Sequence, residues 1–287
     1  MSCRTLHCYP KAYAGDSIVA IVAGQLASLA ATKRGGPSGP FELSIVFLAL
    51  GAFLASFLWR ENVATTSSSD SSSLPAEKAT IKDALKVVLS DPKIAYVGMV
   101  QSLFEAAMYI FVLQWPPAIT SAIETAFGTG SASPYGTIFS CFMACCLMGS
   151  TLFSQFNKMK NVSIEGSSTV MLLLSTVAMG VAAAASKEIG MFKANPLFAL
   201  IPAFFAFEAA VGFYFPSIGT LRSKYIPDSH RSVIMNLFGI PLNVLVVSVF
   251  LSIQALGVGG ALSIATGALS IATACMFQLR SLKEVTN

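Results

Sequence analysis

Charged residues are scarce in this chain of 287 residues, since Asp, Glu, Lys and Arg together make up 11% of it. A soluble domain contains about 25% charged residues, so this composition excludes an ordinary soluble fold. Apolar residues account for 54% of the chain, and the mean hydropathy is +0.69. The formal net charge of +4 is too small to indicate a nucleic-acid-binding surface. The partner that this composition requires is a lipid bilayer.

Residue types that carry catalysis or bind metals are also few. The sequence contains two histidines, and it has no paired nucleophile and base and no phosphate-binding loop. The six cysteines lack metal-ligand spacing, so we interpret them as free thiols. We therefore expect a protein that is not an enzyme and that needs no metal or cofactor.

Long apolar runs dominate what is present, and they show no alternation of period two such as a membrane barrel would have. A helix needs about 20 mainly apolar residues to cross a bilayer. The sequence predicts an all-α membrane protein with eight transmembrane helices. They cover roughly residues 14–31, 42–59, 94–114, 134–156, 167–185, 196–216, 231–253 and 257–279.

Lys and Arg are distributed unevenly between the segments that connect these spans. Fourteen of them fall in one set of alternate loops and tails, and four fall in the other set. Short loops rich in Lys and Arg stay on the cytoplasmic side of a membrane. We therefore expect both termini to face the cytoplasm.

A polar segment, residues 61–93, separates two spans from six. It begins with the serine tract 67–73 and ends in an amphipathic stretch that predicts an interfacial helix. The apolar face of that stretch holds Ile81, Leu85, Val88 and Leu89, and the other face carries Lys78, Lys82 and Lys86. These lysines suit anionic headgroups or a solvated surface equally well. We divide the chain into a tail with two helices (1–60), a cytoplasmic linker with an interfacial helix (61–93) and a six-helix unit (94–287).

Two acidic residues lie near the centres of predicted spans, where ionisable groups are costly and usually functional. Glu105 and Glu208 both occur in the tetrapeptide Phe-Glu-Ala-Ala, at 104–107 and 207–210. The two copies are three spans apart and therefore run in opposite directions. This repeated tetrapeptide favours a 3+3 inverted repeat in the last six helices, with a binding site near the midplane of the membrane.

Further polar residues extend this candidate site. Gln101, Glu105 and Tyr109 follow one another at one-turn spacing, so one helix face presents an amide, a carboxyl and a phenol. Asn236 and Asn243 share a face of the seventh span and are candidates for the same cavity. The alternative for all of these residues is hydrogen bonding that holds neighbouring helices together.

Prolines and basic residues mark the ends of several spans. The segments Trp115-Pro116-Pro117 and Phe215-Pro216 are expected to end or kink their helices. After the second of these, Arg222, Lys224 and Arg231 are expected in a cytoplasmic loop, where they would attract an oxyanion, form a gate or simply fix the topology.

The residues now described resemble those of the molybdate-anion transporter family of the major facilitator superfamily. The resemblance rests on short motifs in three parts of the chain. They are Leu89-Ser-Asp-Pro92 with Gln101-Ser-Leu-Phe-Glu105 and Ile110-Phe-Val-Leu-Gln-Trp-Pro116; Ile138-Phe-Ser-Cys-Phe-Met-Ala144 with Leu147-Met-Gly-Ser150; and Gly212-Phe-Tyr-Phe-Pro-Ser217 with Leu221-Arg222, Tyr225-Ile-Pro227, Asn236 and Ile240-Pro-Leu242.

The resemblance implies a twelve-helix transporter of which this chain matches helices five to twelve. The first four helices have no counterpart, so we expect a truncated transporter. It implies uptake of molybdate by alternating access, with Gln101, Glu105, Tyr109, Glu208 and Asn236 as substrate-binding or coupling residues. A plasma-membrane location and protons as coupling ions are expectations of the same kind.

An oxyanion substrate raises a difficulty, because two glutamates and no Lys or Arg lie deep in the predicted spans. Either a protonated glutamate couples the anion to a proton, or the cationic residues belong to the missing helices. We expect a proton-coupling or gating role for Glu105. The alternatives in function are a membrane scaffold or regulator that does not transport and a facilitator for an organic solute.

Overall fold

The computed structural model describes residues 3–34, 36, 38–59, 81–159, 162–193, 195–228 and 230–286, and all regular structure within these ranges is helical. The helices are α1 (Cys3–Arg34), α2 (Ser38–Leu58), α3 (Ile81–Ser90), α4 (Pro92–Phe127), α5 (Tyr135–Phe156), α6 (Ile164–Ser186), α7 (Leu197–Tyr225), α8 (Arg231–Leu251) and α9 (Ile253–Thr286), with a short 3-10 turn at Gly190–Lys193. Eight of these helices are long and apolar enough to cross a membrane, which confirms the predicted all-α membrane architecture. The serine tract and Lys78 lie outside the described residues.

The last six helices pack as two interlocked triplets, α4–α6 and α7–α9. Helix α4 packs against α8 and α9, and helix α7 packs against α5 and α6. Helices α4 and α7 also contact each other, as do α6 and α9. Apart from a contact between α8 and α9, these contacts map onto themselves when the triplets are exchanged, as expected for a 3+3 inverted repeat.

Helices α5 and α7 cross so closely that their backbones touch. A Cβ atom added at Gly149 would lie 1.8 Å from the carbonyl oxygen of Ala209, and one added at Gly212 would lie 1.9 Å from that of Cys146. Small residues at such a crossing allow the dense packing that stabilises helix pairs in a membrane. The glycines therefore fix the position of α5 against the face of α7 that carries Glu208.

Two helices lie outside the six-helix unit. Helix α1 packs against α5 and also contacts α7, whereas α2 contacts α1 and leaves its apolar side chains exposed. The α1–α5 contact includes a hydrogen bond of 2.9 Å from the Ser140 hydroxyl to the carbonyl oxygen of Ile21. One side of the six-helix unit is thus covered by α1.

A helix, α3, is present where the sequence predicts an interfacial one, and it packs against α8 and α4. It buries Ala84 and Val88, whereas Ile81, Leu85 and Leu89 are exposed. Val88 therefore does not share the environment of the other three apolar residues. The reason is that α3 lies against the bundle, which removes one edge of its apolar face from the surface.

Helices α4 and α7 do not end at the prolines where an end or a kink was expected. Helix α4 continues through Pro116 and Pro117 to Phe127, and α7 continues through Pro216 to Tyr225. Proline removes one backbone donor, but its fixed φ is compatible with a helix, and packed neighbours stabilise such positions in membrane helices. Arg222 and Lys224 consequently lie on a helix rather than in a loop.

Candidate functional site

A polar cluster joins α4 to the last turns of α7. The Arg222 guanidinium donates from Nε to Gln101 Oε1 at 3.0 Å and from Nη2 to Glu105 Oε1 at 2.9 Å. The side chains of Arg222 and Glu105 are 23% and 19% exposed, so this ion pair is mostly buried. The sequence places no Lys or Arg deep in the predicted spans, and in the structure Arg222 reaches Gln101 and Glu105 from the last turns of α7.

Tyr214 completes this cluster from the same helix as Arg222. Its hydroxyl donates to Glu105 Oε1 at 2.9 Å, and its ring stacks on Phe104 with centroids 4.0 Å apart. One carboxylate oxygen thus accepts hydrogen bonds from two residues of α7. The packing of Phe104 and Tyr214 holds both sides of the cluster at a fixed separation.

The cluster sits partway along α4 and has one open side. Glu105 lies about 20 Å along the helix axis from Pro92. Tyr109, one turn further on, is 49% exposed, and Val112 and Leu113 beyond it are also exposed. The predicted stripe of Gln101, Glu105 and Tyr109 therefore runs from the buried ion pair to an uncovered face of α4.

The chemistry of this cluster suits an oxyanion. A guanidinium is a planar fork of donors that matches carboxylate-like and phosphate-like oxygens. In this structure a glutamate oxygen occupies part of that fork, which makes the pair of side chains electrically neutral. Any anion that binds the Arg222 guanidinium has to compete with Glu105 for its donors.

Glu208 lies elsewhere on α7, in a different environment. It is 6% exposed, and the side chains close enough to interact with it electrostatically are Cys145 and Cys146 of α5. The two Phe-Glu-Ala-Ala copies do meet, because the rings of Phe104 and Phe207 stack with centroids 6.0 Å apart. Glu105 points to the cations of α7, whereas Glu208 faces α5.

The predicted basic cluster of Arg222, Lys224 and Arg231 is divided among three acids. Lys224 pairs with Glu165, which also accepts a hydrogen bond of 2.7 Å from the Tyr225 hydroxyl. Arg231 pairs with Asp228 at 2.5 Å. The cations are therefore separate ion pairs in the structure, and Arg222 is the one among them that contacts α4.

Sequence reasoning missed Glu165, although its side chain is fully buried at 0% exposure. It lies in the first turn of α6. Acidic residues are common in the first turn of a helix, where they favour the helix dipole and remain solvated. Its position therefore gave no signal that it binds Lys224 and Tyr225.

The asparagines of α8 lie outside the Arg222 cluster. Asn236 is exposed, and the amide nitrogen of Asn243 donates to the carbonyl oxygen of Gly239 in its own helix at 2.8 Å. Residues 81–159 and 162–193, like the other described ranges, contain no group of three His, Cys, Asp or Glu side chains able to hold a metal.

A large groove lies away from these polar groups. It has a volume of about 1240 Å³ and is lined by α5, α6 and α7, largely with apolar side chains such as Leu174, Val177 and Phe198. Neither Glu105 nor Arg222 contributes to its lining. Apolar surface of this kind on a membrane helix bundle faces lipid, so the groove does not define the polar site.

Comparison with known proteins identifies relatives over most of the chain. A family model described as sugar transporters with 12 TM matches residues 5–196. The molybdate-anion transporter of Xenopus tropicalis is 30% identical over 244 residues, which cover 83% of this chain and 49% of the relative. The proteins of the same name from Xenopus laevis and Takifugu rubripes are 30% and 28% identical, each over 83% of this chain and 49% and 50% of their own lengths. The chain thus spans about half the length of the curated relatives it matches, and no solved structure matches it.

Proposed function

Because this chain belongs to the molybdate-anion transporter family of the major facilitator superfamily, we propose that it takes part in carrying molybdate or a related oxyanion across a membrane. The family consists of transporters, and this chain is a membrane protein rather than an enzyme. The observation that carries the proposal is the Arg222 guanidinium, which is held between Gln101 and Glu105 in a mostly buried cluster next to the uncovered face of α4 at Tyr109.

The proposed site works by exchange of anions on Arg222. In the structure, the Glu105 carboxylate accepts hydrogen bonds from Arg222 and Tyr214 and so covers the guanidinium. A tetrahedral oxyanion offers oxygens to the same donors, so it takes the place of Glu105 on the guanidinium. Binding then separates Glu105 from α7, which links occupancy of the site to the contact between α4 and α7.

Alternating access is the proposed route through the membrane. The division into residues 1–60, 61–93 and 94–287 assigns α1 and α2 to one half of a transporter and α4–α9 to the other. Support comes from the exchange symmetry of α4–α9 and from the position of α1 on the outside of that unit. We propose that both termini face the cytoplasm, on the distribution of Lys and Arg, and that the membrane is the plasma membrane, as the family resemblance implies.

A second candidate function is that of a membrane scaffold that binds a longer relative. Helix α2 favours it, since Phe41, Phe53, Phe57 and Leu58 are exposed along a helix that contacts α1. Exposed apolar surface of this extent suits another helix as well as lipid. A facilitator for an organic solute is a third candidate, and the sugar transporters named in the matching family model favour it.

Molybdenum accumulation in cells tests the proposal. We would express the wild-type chain, Arg222→Gln and the control Lys158→Gln, which removes the same charge at an exposed position after α5. Cellular molybdenum is then measured by mass spectrometry after incubation with molybdate. We expect accumulation above the empty vector for the wild type and the control, and none for Arg222→Gln.

Each other outcome is informative. Equal accumulation by Arg222→Gln and the wild type would exclude Arg222 as the anion site. If cells with the wild-type chain accumulate no more molybdenum than cells with the empty vector, and the chain copurifies with a longer relative, the scaffold function is favoured.

A further inference from the structure

The buried carboxyl of Glu208 is a second polar site, separate from the Arg222 cluster. It lies on α7 about 21 Å along the helix axis from Arg222 and about 9 Å from Tyr214. Six residues of an α-helix also turn the side chain by about 240°, so Glu208 and Tyr214 face different neighbours. Tyr214 contacts α4, whereas Glu208 faces α5.

The groups around Glu208 are neutral or weakly polar. From α5, Cys145 and Cys146 lie close enough to Glu208 to interact with it electrostatically, and Cys146 also forms a hydrogen bond with the Ser17 hydroxyl of α1. The charged residues that α4 and α6 direct to α7 are Glu105 and Glu165, and these are bound to Arg222 and to Lys224 with Tyr225. Within the described residues, the Glu208 carboxyl forms neither a hydrogen bond nor an ion pair with a cationic side chain.

An ionised carboxylate in such a position is costly. A buried charge without a paired cation or several hydrogen-bond donors is strongly destabilised, and the cost is greater within a bilayer. The neutral acid avoids most of this cost and can donate its own hydrogen bond. The two glutamates of the repeated tetrapeptide are therefore suited to different tasks, one as the partner of a cation and the other as a carrier of a proton.

We propose that Glu208 is a proton-binding site whose access to water is controlled by the packing of α1 against α5 and α7. The proposal deepens the proposed function and rests on it for coupling, because it assigns the anion to Arg222 and the proton to Glu208. The step is an ionisation in which the O–H bond of the carboxyl breaks, the proton passes to water on the open side and a carboxylate remains. Binding of a proton from the other side reverses it.

The contact between α1 and α5 explains how access to Glu208 changes. Gly24 and Gly136 bring the two helices together so closely that a Cβ at Gly136 would lie 2.4 Å from the carbonyl oxygen of Gly24. Ser17 lies on the same helix and contacts the thiol beside Glu208. Because α1 lies outside the six-helix unit, a movement between the two parts of the chain opens this junction and exposes the carboxyl to water.

Infrared spectroscopy of the full chain in lipid nanodiscs tests the proposal directly. A protonated carboxyl has a carbonyl stretching band that is distinct from the bands of carboxylates and amides and that shifts in heavy water. We expect this band in the wild type at neutral pH, its loss in Glu208→Gln and its retention in Glu105→Gln. Absence of the band in the wild type, or its survival in Glu208→Gln, would overturn the proposal.

A second variant keeps the test decisive where Glu208→Gln fails to fold. Cys146→Ser places a stronger hydrogen-bonding group beside Glu208, so the carboxyl band should shift. The matched control is Cys275→Ser on α9, which should leave the band in place. A band that does not move in Cys146→Ser would contradict the placement of the proton on Glu208.

Uptake measurements separate this inference from the proposed function. In liposomes that contain the wild type, an imposed pH gradient should change the rate of molybdate uptake, and in Glu208→Gln the rate should become independent of the gradient. If the chain moves no molybdate but the infrared band behaves as described, the proposed function fails and the proton site stands. If uptake occurs and Glu208→Gln retains its dependence on the gradient, this inference alone fails.

Discussion

Replacement of Glu105 by Gln should strengthen the binding of molybdate. The Glu105 carboxylate lies 2.9 Å from Arg222 Nη2 and 2.9 Å from the Tyr214 hydroxyl, so it competes for the donors that an oxyanion needs. Two unit charges 4 Å apart interact by about 1 kcal/mol in water and about 4 kcal/mol near a protein surface. Because this pair is partly exposed, we expect that displacing Glu105 from Arg222 costs the anion about 1–2 kcal/mol. Removing that cost corresponds to roughly five- to thirty-fold tighter binding of molybdate.

Equilibrium dialysis of the purified chain in nanodiscs, with molybdenum measured by mass spectrometry, gives the dissociation constant. The matched control is Glu124→Gln, which removes an exposed carboxylate from the same helix and should leave the dissociation constant unchanged. An unchanged or weaker affinity in Glu105→Gln would refute the competition. It would indicate instead that Glu105 contacts the anion in its protonated form.

Two further predictions concern the helix contacts that hold the site. Gly212→Ala should destabilise the chain by about 1–3 kcal/mol relative to Gly219→Ala, because a Cβ at Gly212 meets the α5 backbone at 1.9 Å and one at Gly219 meets nothing within 4 Å. Thermal unfolding in detergent measures this difference, and equal midpoints would show that the crossing relaxes freely. Glu165→Gln should cost about 1–3 kcal/mol because it removes the buried negative charge that pairs with Lys224 and that accepts a hydrogen bond from Tyr225. The control Asp228→Asn, whose side chain is 87% exposed, should cost less than about 1 kcal/mol, and a reversed order would contradict the assignment of Glu165 as a structural anchor.

The membrane architecture could be predicted from the sequence because length and apolarity are properties of each segment alone. The eight spans were found in this way, and their ends were not. Proline predicts either an end or a kink of its helix, and a helix in a packed bundle continues through proline where its neighbours hold it in place, as α7 does. The sequence alone does not decide between the two, so it left Arg222 in a loop and gave no sign of its contact with Glu105.

The difference between Glu105 and Glu208 could not be predicted from their sequence context. Both residues follow a phenylalanine and precede two alanines. What separates them is the helix that lies opposite, since α7 offers Arg222 and Tyr214 to one and α5 offers two thiols to the other. Such an environment depends on contacts between distant parts of the chain, and a local pattern does not contain it.

The exchange symmetry of the six-helix unit gives the repeated tetrapeptide a structural meaning. Phe104 and Phe207 stack on each other, and Phe111 packs against Phe207 with centroids 5.0 Å apart. Aromatic pairs of this kind contribute about 0.5–1.5 kcal/mol beyond the area they bury. The repeat therefore places matching aromatic rings where the two triplets meet and leaves each glutamate free to serve a different site.

Binding of molybdate to the purified chain and to its Arg222→Gln variant tests the central claim most directly. Loss of hydrogen bonds from a charged group costs about 1.5–3 kcal/mol, so the variant should bind at least about tenfold more weakly. Arg231→Gln, which removes a guanidinium paired with Asp228, should bind like the wild type. Saturable binding in the wild type that is lost in Arg222→Gln and kept in Arg231→Gln is the predicted result, and equal binding by all three proteins would contradict the account.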